Sequence, residues 1–164
     1  MTTIRNYTQA LEQSLKQSKP VLISKLKEIS GFKFFKDIDL LEFNFQVYAT
    51  DFQLMLYSMD KEANEVFYEG NDKNIFSGSD TVLEETEYLF LTDEELDTFD
   101  DSLFEHDEEL AKIQEETVVT WFMSCWNEAI GTKFPLPVYV GITDAESCYD
   151  IQNNKWISDE DKWA

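Results

Sequence analysis

Residues 117–142 read TVVTWFMSCWNEAIGTKFPLPVYVGI, the densest apolar run in a chain of 164 residues with a formal charge of −21. These residues describe either a core or an adhesive surface, and their periods decide between the two. Val118, Trp121, Phe122, Cys125, Ala129 and Ile130 share one broad helical face, while Thr120, Ser124, Asn127 and Glu128 lie elsewhere. Gly131 closes that helix. Pro135 and Pro137 forbid helix in the linker 134–137. Val138, Val140 and Ile142 then alternate with Tyr139 and Gly141 as a strand. The run therefore predicts a core helix that returns into a core strand, with Trp121 as a core aromatic.

Downstream, SCYDI (147–151) adds an edge strand, so that 138–152 holds the terminal strands. The polar tail QNNKWISDEDKWA carries two tryptophans. Trp156 is expected to lock the tail onto the body, and Trp163 either does the same or is left free for a partner. Upstream, Thr92 to Glu95 has the form of a capping box. Leu96, Phe99, Leu103, Leu110, Ile113 and Thr117 follow as a stripe that continues into Trp121, Cys125 or Trp126, and Ile130. Residues 92–131 thus read as acidic, then apolar, helix. The pattern allows a break between Ser102 and Asp107 that gives two helices in place of one.

The period is two in the middle of the chain. Phe43, Phe45, Val47 and Ala49 alternate with polar or amphipathic neighbours, and FQLMLYSM (52–59) makes a second strand. DKEAN (60–64) supplies turn chemistry, and EVFYEG (65–70) makes a third strand, so 43–70 is expected to be an antiparallel meander. Residues 70–80 read as an exposed loop, and 87–91 as either strand or helix. At the start, Ile4, Tyr7, Leu11 and Leu15 fall at helical spacing. Pro20 is placed as the first residue of a second helix that ends at Ser30-Gly31. The expectation is one α+β domain over 1–164 with a basic helical segment at 1–31.

Composition bounds the class. At 43% hydrophobic and 15% aromatic the chain has ample material for a core, which outweighs the disorder that its charge alone would favour. Residues 1–36 carry seven Lys and Arg against two acids, a net +5, which leaves −26 on the rest. A field of that sign repels nucleic acid and anionic membrane and attracts basic partners. No apolar h-region opens the chain and no run approaches the ~20 residues of a membrane helix. The expected compartment is therefore cytoplasmic, with Cys125 and Cys148 as reduced thiols.

Catalytic signals are weak. The single histidine, His106, sits among Glu105, Asp107, Glu108 and Glu109, which favour its protonated form and suit a boundary role better than a general base. Residues 97–109 lack the glycine of a calcium loop. There is no dinucleotide or phosphate loop and no zinc spacing, so no cofactor and no metal site is expected. What remains is the acidic block, ten acids in residues 93–109 with no Lys or Arg. Asp93, Asp97, Asp101 and Glu105 step by four, so like charges stack on a helix at some tenths of a kcal/mol per pair. That local cost points to a charge requirement beyond solubility. The candidate partner-binding residues are Asp93, Glu94, Asp97, Asp100, Asp101, Glu105, Glu108 and Glu109.

The order of paired helices, meander, acidic helix and final strand in a small acidic chain resembles the immunity proteins of bacterial toxin systems, and the segment CWNEAIGTKFPLPVYVGITD (125–144) resembles uncharacterised bacterial domains often encoded beside toxins. The LP…Y…NG pattern of the SUKH immunity superfamily is absent. The resemblance implies a non-enzymatic acidic module that binds and blocks a basic partner such as a nuclease toxin. A regulatory or scaffold domain whose charge serves solubility is the alternative reading, and a carboxylate-based hydrolase is the third.

Overall fold

The computed structural model describes residues 4–48, 50–89, 94 and 108–164. It is an α+β fold in which, among the described residues, two long helices lie on one face of a mixed six-stranded sheet. The first helix, α1 (Ile4–Ser30), is a single element and not the expected pair, with Pro20 inside it. A proline in a helix interior costs about 3 kcal/mol. Tyr7, Leu11, Leu15, Leu22, Leu26 and Ile29 are all buried, and their stripe keeps one phase through the proline. Five buried aliphatic side chains at about 1.5–3 kcal/mol each outweigh the local penalty. Pro20 itself is exposed, so the carbonyl left without a partner lies on the watered side. The helix ends at Gly31 as read, its N–H donating to Glu28 O at 3.1 Å.

Strands β1 (Lys33–Phe34), β2 (Leu40–Val47), β3 (Asp51–Met59), β4 (Ile75–Phe76) and β5 (Ser79–Glu87) follow. Then come α2 (Glu108–Ala129), β6 (Val138–Ile142), β7 (Ser147–Asp150), β8 (Lys155–Ser158) and a short 3-10 helix (Asp159–Trp163). β1 and β4 form a separate parallel pair. The main sheet runs β5-β3-β2-β6-β7-β8.

The β2–β3 hairpin is antiparallel, as expected. On the other side of β2 the sheet becomes mixed, because the central pair β2–β6 is parallel. The third antiparallel strand is also not 65–70, which contributes only a bridge between Met59 and Glu65. It is β5, drawn partly from the segment read as an exposed loop. Buried Ser58 organises the detour, its hydroxyl donating to the carbonyls of Gly78 (2.8 Å) and Val66 (3.3 Å). β8, beyond β7, forms the outer edge.

The core lies between sheet and helices. Leu41, Phe43 and Phe45 of β2, Phe52, Leu54 and Leu56 of β3, and Val138 and Val140 of β6 face Val118, Val119, Phe122, Cys125 and Trp126 of α2. The opening stretch is thus a core helix and a core strand joined through Gly131, whose φ is +79°. One residue differs. Trp126, and not Trp121, is the deeply buried indole, at 1% exposure with its Nε1 donating to Gly131 O at 3.0 Å. Trp121 is half-buried at the α1 side.

The opposite face of the sheet carries a smaller cluster of Leu40, Tyr139 and Cys148, packed by Met59, Ile157 and Trp163. The expectation for the tail therefore reverses. Trp163 packs against the body, while Trp156 is 44% exposed beside Tyr149 at the sheet edge.

Candidate partner-binding surface

The two helices run side by side in the same direction: Gln114 of α2 donates to the Tyr7 hydroxyl near one end, and Lys19 pairs with Glu128 at 3.1 Å further along. The basic helix is thereby spent on the acidic body. Lys25 reaches Asp80 at 2.9 Å, and Lys33 reaches Asp72 at 3.4 Å. The Asp80 hydrogen bond holds the Lys25 ammonium above its ordinary pKa. These pairs are exposed or half-exposed and each contributes at most about 1 kcal/mol. Their significance is where they leave charge uncompensated.

That place is the far side of β5. Glu84, Glu85 and Glu87 are exposed on this edge strand, and none has a lysine or arginine partner among the described residues. Asp51 of β3 pairs in register with Glu87. The Glu85 carboxyl is pushed above the usual range by a hydrogen bond to Asp51, then by the charges of Asp51 and Glu87. Like charges are held together here. β5 then leads directly into the acidic block.

Of the candidate residues, Glu94 is helical and exposed. Glu108 and Glu109 are exposed in the first turn of α2, where carboxylates meet the positive end of the helix dipole. Asp93, Asp97, Asp100, Asp101 and Glu105 lie outside the described residues, as do His106, the capping box and the expected break at 102–107. The β5 carboxylates were missed in the sequence because 79–89 was not read as a strand. Val82 and Leu83 are both buried where a register shift falls, so no two-residue period survives. Reading the acids from 80 to 94 as one surface would have found them.

The ionisable groups elsewhere are structural. Cys125 and Cys148 are buried on opposite faces of the sheet, and burial raises their pKa to about 11 and about 12, which makes both inert thiols. The hydroxyls of Tyr7 and Tyr88 meet at 2.8 Å, and Tyr88 also bonds the Tyr48 carbonyl. Burial raises both phenols. Glu115, half-buried, accepts a hydrogen bond from Ser147 at 3.1 Å, and burial raises its pKa. Among the described residues no group of three or more His, Cys, Asp or Glu is arranged to hold a metal ion. Among the same residues no helix is long and apolar enough to cross a membrane.

A buried charge site lies on the sheet face opposite α1 and α2. The Lys162 ammonium lies 2.5 Å from Glu42 Oε1 and 2.6 Å from Asp159 Oδ1, and 4.8 Å from the centre of the Trp163 ring. Lys61 donates to the backbone oxygens of Lys162 (3.4 Å) and Ala164 (3.2 Å). Burial works against the charge on Lys162, but hydrogen bonds to Asp159 and Glu42 overturn that and hold its pKa above the ordinary lysine value. This arrangement fastens the C-terminal segment over Tyr139 and Cys148. It is a clasp.

No protein family, curated protein or solved structure matches this chain.

Proposed function

We propose that this chain is a non-enzymatic acidic binding module that receives a basic protein on the β5 edge and the adjoining acidic block, in the manner of an immunity protein neutralising a toxin. The observation that carries the reading is the set Asp51, Glu85 and Glu87, held together with no lysine or arginine partner among the described residues, while Glu128 and Asp80 are paired with Lys19 and Lys25. A charge placed only for solubility is served equally well by carboxylates spread apart, at lower cost. An edge strand lined with glutamates also resists pairing with other strands, so this edge is suited to side-chain recognition and not to β-sheet extension. A basic groove of the kind a nuclease uses for phosphate presents the complementary field. Such fields steer association up to about 10⁸–10⁹ M⁻¹s⁻¹ at low salt.

The test is to capture the basic partner from the native cell, purify it, and compare its association with wild type and with a Glu84→Gln, Glu85→Gln, Glu87→Gln, Glu108→Gln variant at two salt concentrations. The expected result is slower association for the variant at low salt and a deficit that shrinks as salt rises, with folding unimpaired. Equal rates at low salt would refute the reading and leave the charge to solubility.

A further inference from the structure

The outer groove between α1 and α2 is a second contact surface. One cleft of about 490 Å³ is lined by Glu12 and Leu15 of α1 and by Glu116, Thr117, Thr120, Trp121 and Ser124 of α2. Thr117, Thr120 and Ser124 fall on one line of α2, and their short side chains leave space between the helices. A second cleft of about 510 Å³ follows along the same helix pair, lined by Pro20, Ile23 and Ser24 beside the Lys19–Glu128 pair. From Glu12 to Lys27 the groove runs about 22 Å along α1 at the helical rise per residue.

Two features say what fits it. The first cleft holds two glutamates and no lysine or arginine, over an apolar floor of Leu15 and Trp121. The indole Nε1 of Trp121 is also buried with no hydrogen-bond partner among the described residues, whereas that of Trp126 is satisfied. A buried donor without an acceptor is costly and uncommon, so the Trp121 end of the helix pair is less fully satisfied than the Trp126 end. We propose that the groove takes an amphipathic helix of the basic partner, with its apolar ridge on Leu15, Trp121 and Ile23. Lysine or arginine side chains of that helix sit at the Glu12–Glu116 end. The mixed charges of Lys19, Lys27 and Glu128 at the other end set the direction in which the helix lies. This inference rests on the basic-partner reading and names a surface apart from the β5 edge.

The probe is a synthetic fifteen-residue leucine–lysine amphipathic helix, compared with a lysine–serine peptide of equal charge and no apolar face. Binding is followed by peptide anisotropy and by the four indole N–H resonances of the ¹⁵N-labelled protein. The amphipathic peptide is expected to bind more tightly than the lysine–serine peptide and to shift the Trp121 resonance, assigned as the one lost in Trp121→Phe. Glu12→Gln with Glu116→Gln is expected to weaken it about three- to tenfold. Ser124→Phe, an exposed position that fills the groove without touching the core, is expected to weaken it as well. Equal affinities for the two peptides, or a Trp121 resonance that does not move, would overturn the proposal. If the purified partner responds to the β5-edge substitutions and ignores the groove variants, the groove proposal fails alone. If it ignores both, the basic-partner reading fails with it.

Discussion

Lys162→Met tests the clasp that holds the C-terminal segment. Lys162 and Glu42 are 5% and 7% exposed, so removing the ammonium leaves a buried carboxylate without its cation. Breaking such a pair costs about 3–5 kcal/mol when the remaining charge stays buried. Here the chain has a cheaper course. Asp159 is already half-exposed, and lifting residues 159–163 lets water reach Glu42. Lifting them forfeits the partial burial of Trp163 on Leu40, Tyr139 and Cys148, which is worth up to about 1.5–3 kcal/mol. The smaller figure governs, so the loss should be about 2–3 kcal/mol, a fall of about 1 M in urea midpoint at an m-value near 2 kcal/mol/M. Local lifting leaves a second trace. Cys148, 3% exposed beneath Trp163, should react with a thiol reagent at least about tenfold faster, while Cys125 on the helix side of the sheet stays protected. Adding Glu42→Gln should restore most of the midpoint by removing the stranded charge. An unchanged midpoint together with unchanged Cys148 labelling would refute the argument, because Trp163 and Lys61 would then hold the segment without the ion pair.

Further predictions concern the helices. Trp126→Ala should cost about 3–5 kcal/mol, and Trp121→Ala distinctly less, because only Trp126 is fully enclosed and hydrogen-bonded; equal urea midpoints would put both indoles in one environment. Pro20→Ala should stabilise the protein by about 1–2 kcal/mol, the regained helical bond being offset in part by a freer unfolded chain; a lower thermal midpoint would show that the proline is required in α1. Glu115→Gln should match wild type near pH 3.5 and exceed it at pH 7. Burial raises the Glu115 pKa in the fold, so wild type loses stability as pH rises from the unfolded value through the folded one, whereas glutamine keeps the Ser147 contact uncharged. Parallel midpoints at both pH values would contradict this.

How much of this was legible depended on how local the deciding interactions are. The α2–β6 stretch was readable because period, glycine and prolines act within a few residues of one another. The division of α1 at Pro20 was misread because a local penalty was weighed without the distant burial of Leu22, Leu26 and Ile29. Trp121 and Trp126 share the apolar arc of α2. Only the packing of Phe43, Phe122 and Phe134 around Trp126 separates them. β5 was hidden by its bulge and its charge. The Glu42–Lys162 pair joins positions about 120 residues apart, and no spacing rule reaches that far. Charge counting named Glu94, Glu108 and Glu109, which are exposed, whereas naming the β5 carboxylates needed the strand first.

The parallel pairing of β2 with β6 places at the centre of the sheet two strands roughly a hundred residues apart. Until β6 arrives, β2 presents Leu41, Phe43 and Phe45 along an unprotected inner edge, and the hairpin with β3 cannot shield it. Closing so long a loop before any reward is gained places this domain among slow folders, on a scale of milliseconds to seconds. The connection that must close is also the most acidic part of the chain. In the nascent polypeptide, mutual repulsion among its carboxylates holds neighbouring copies apart while the hydrophobic edge is open. The charges proposed to meet a basic partner in the finished protein thus oppose aggregation earlier, during synthesis.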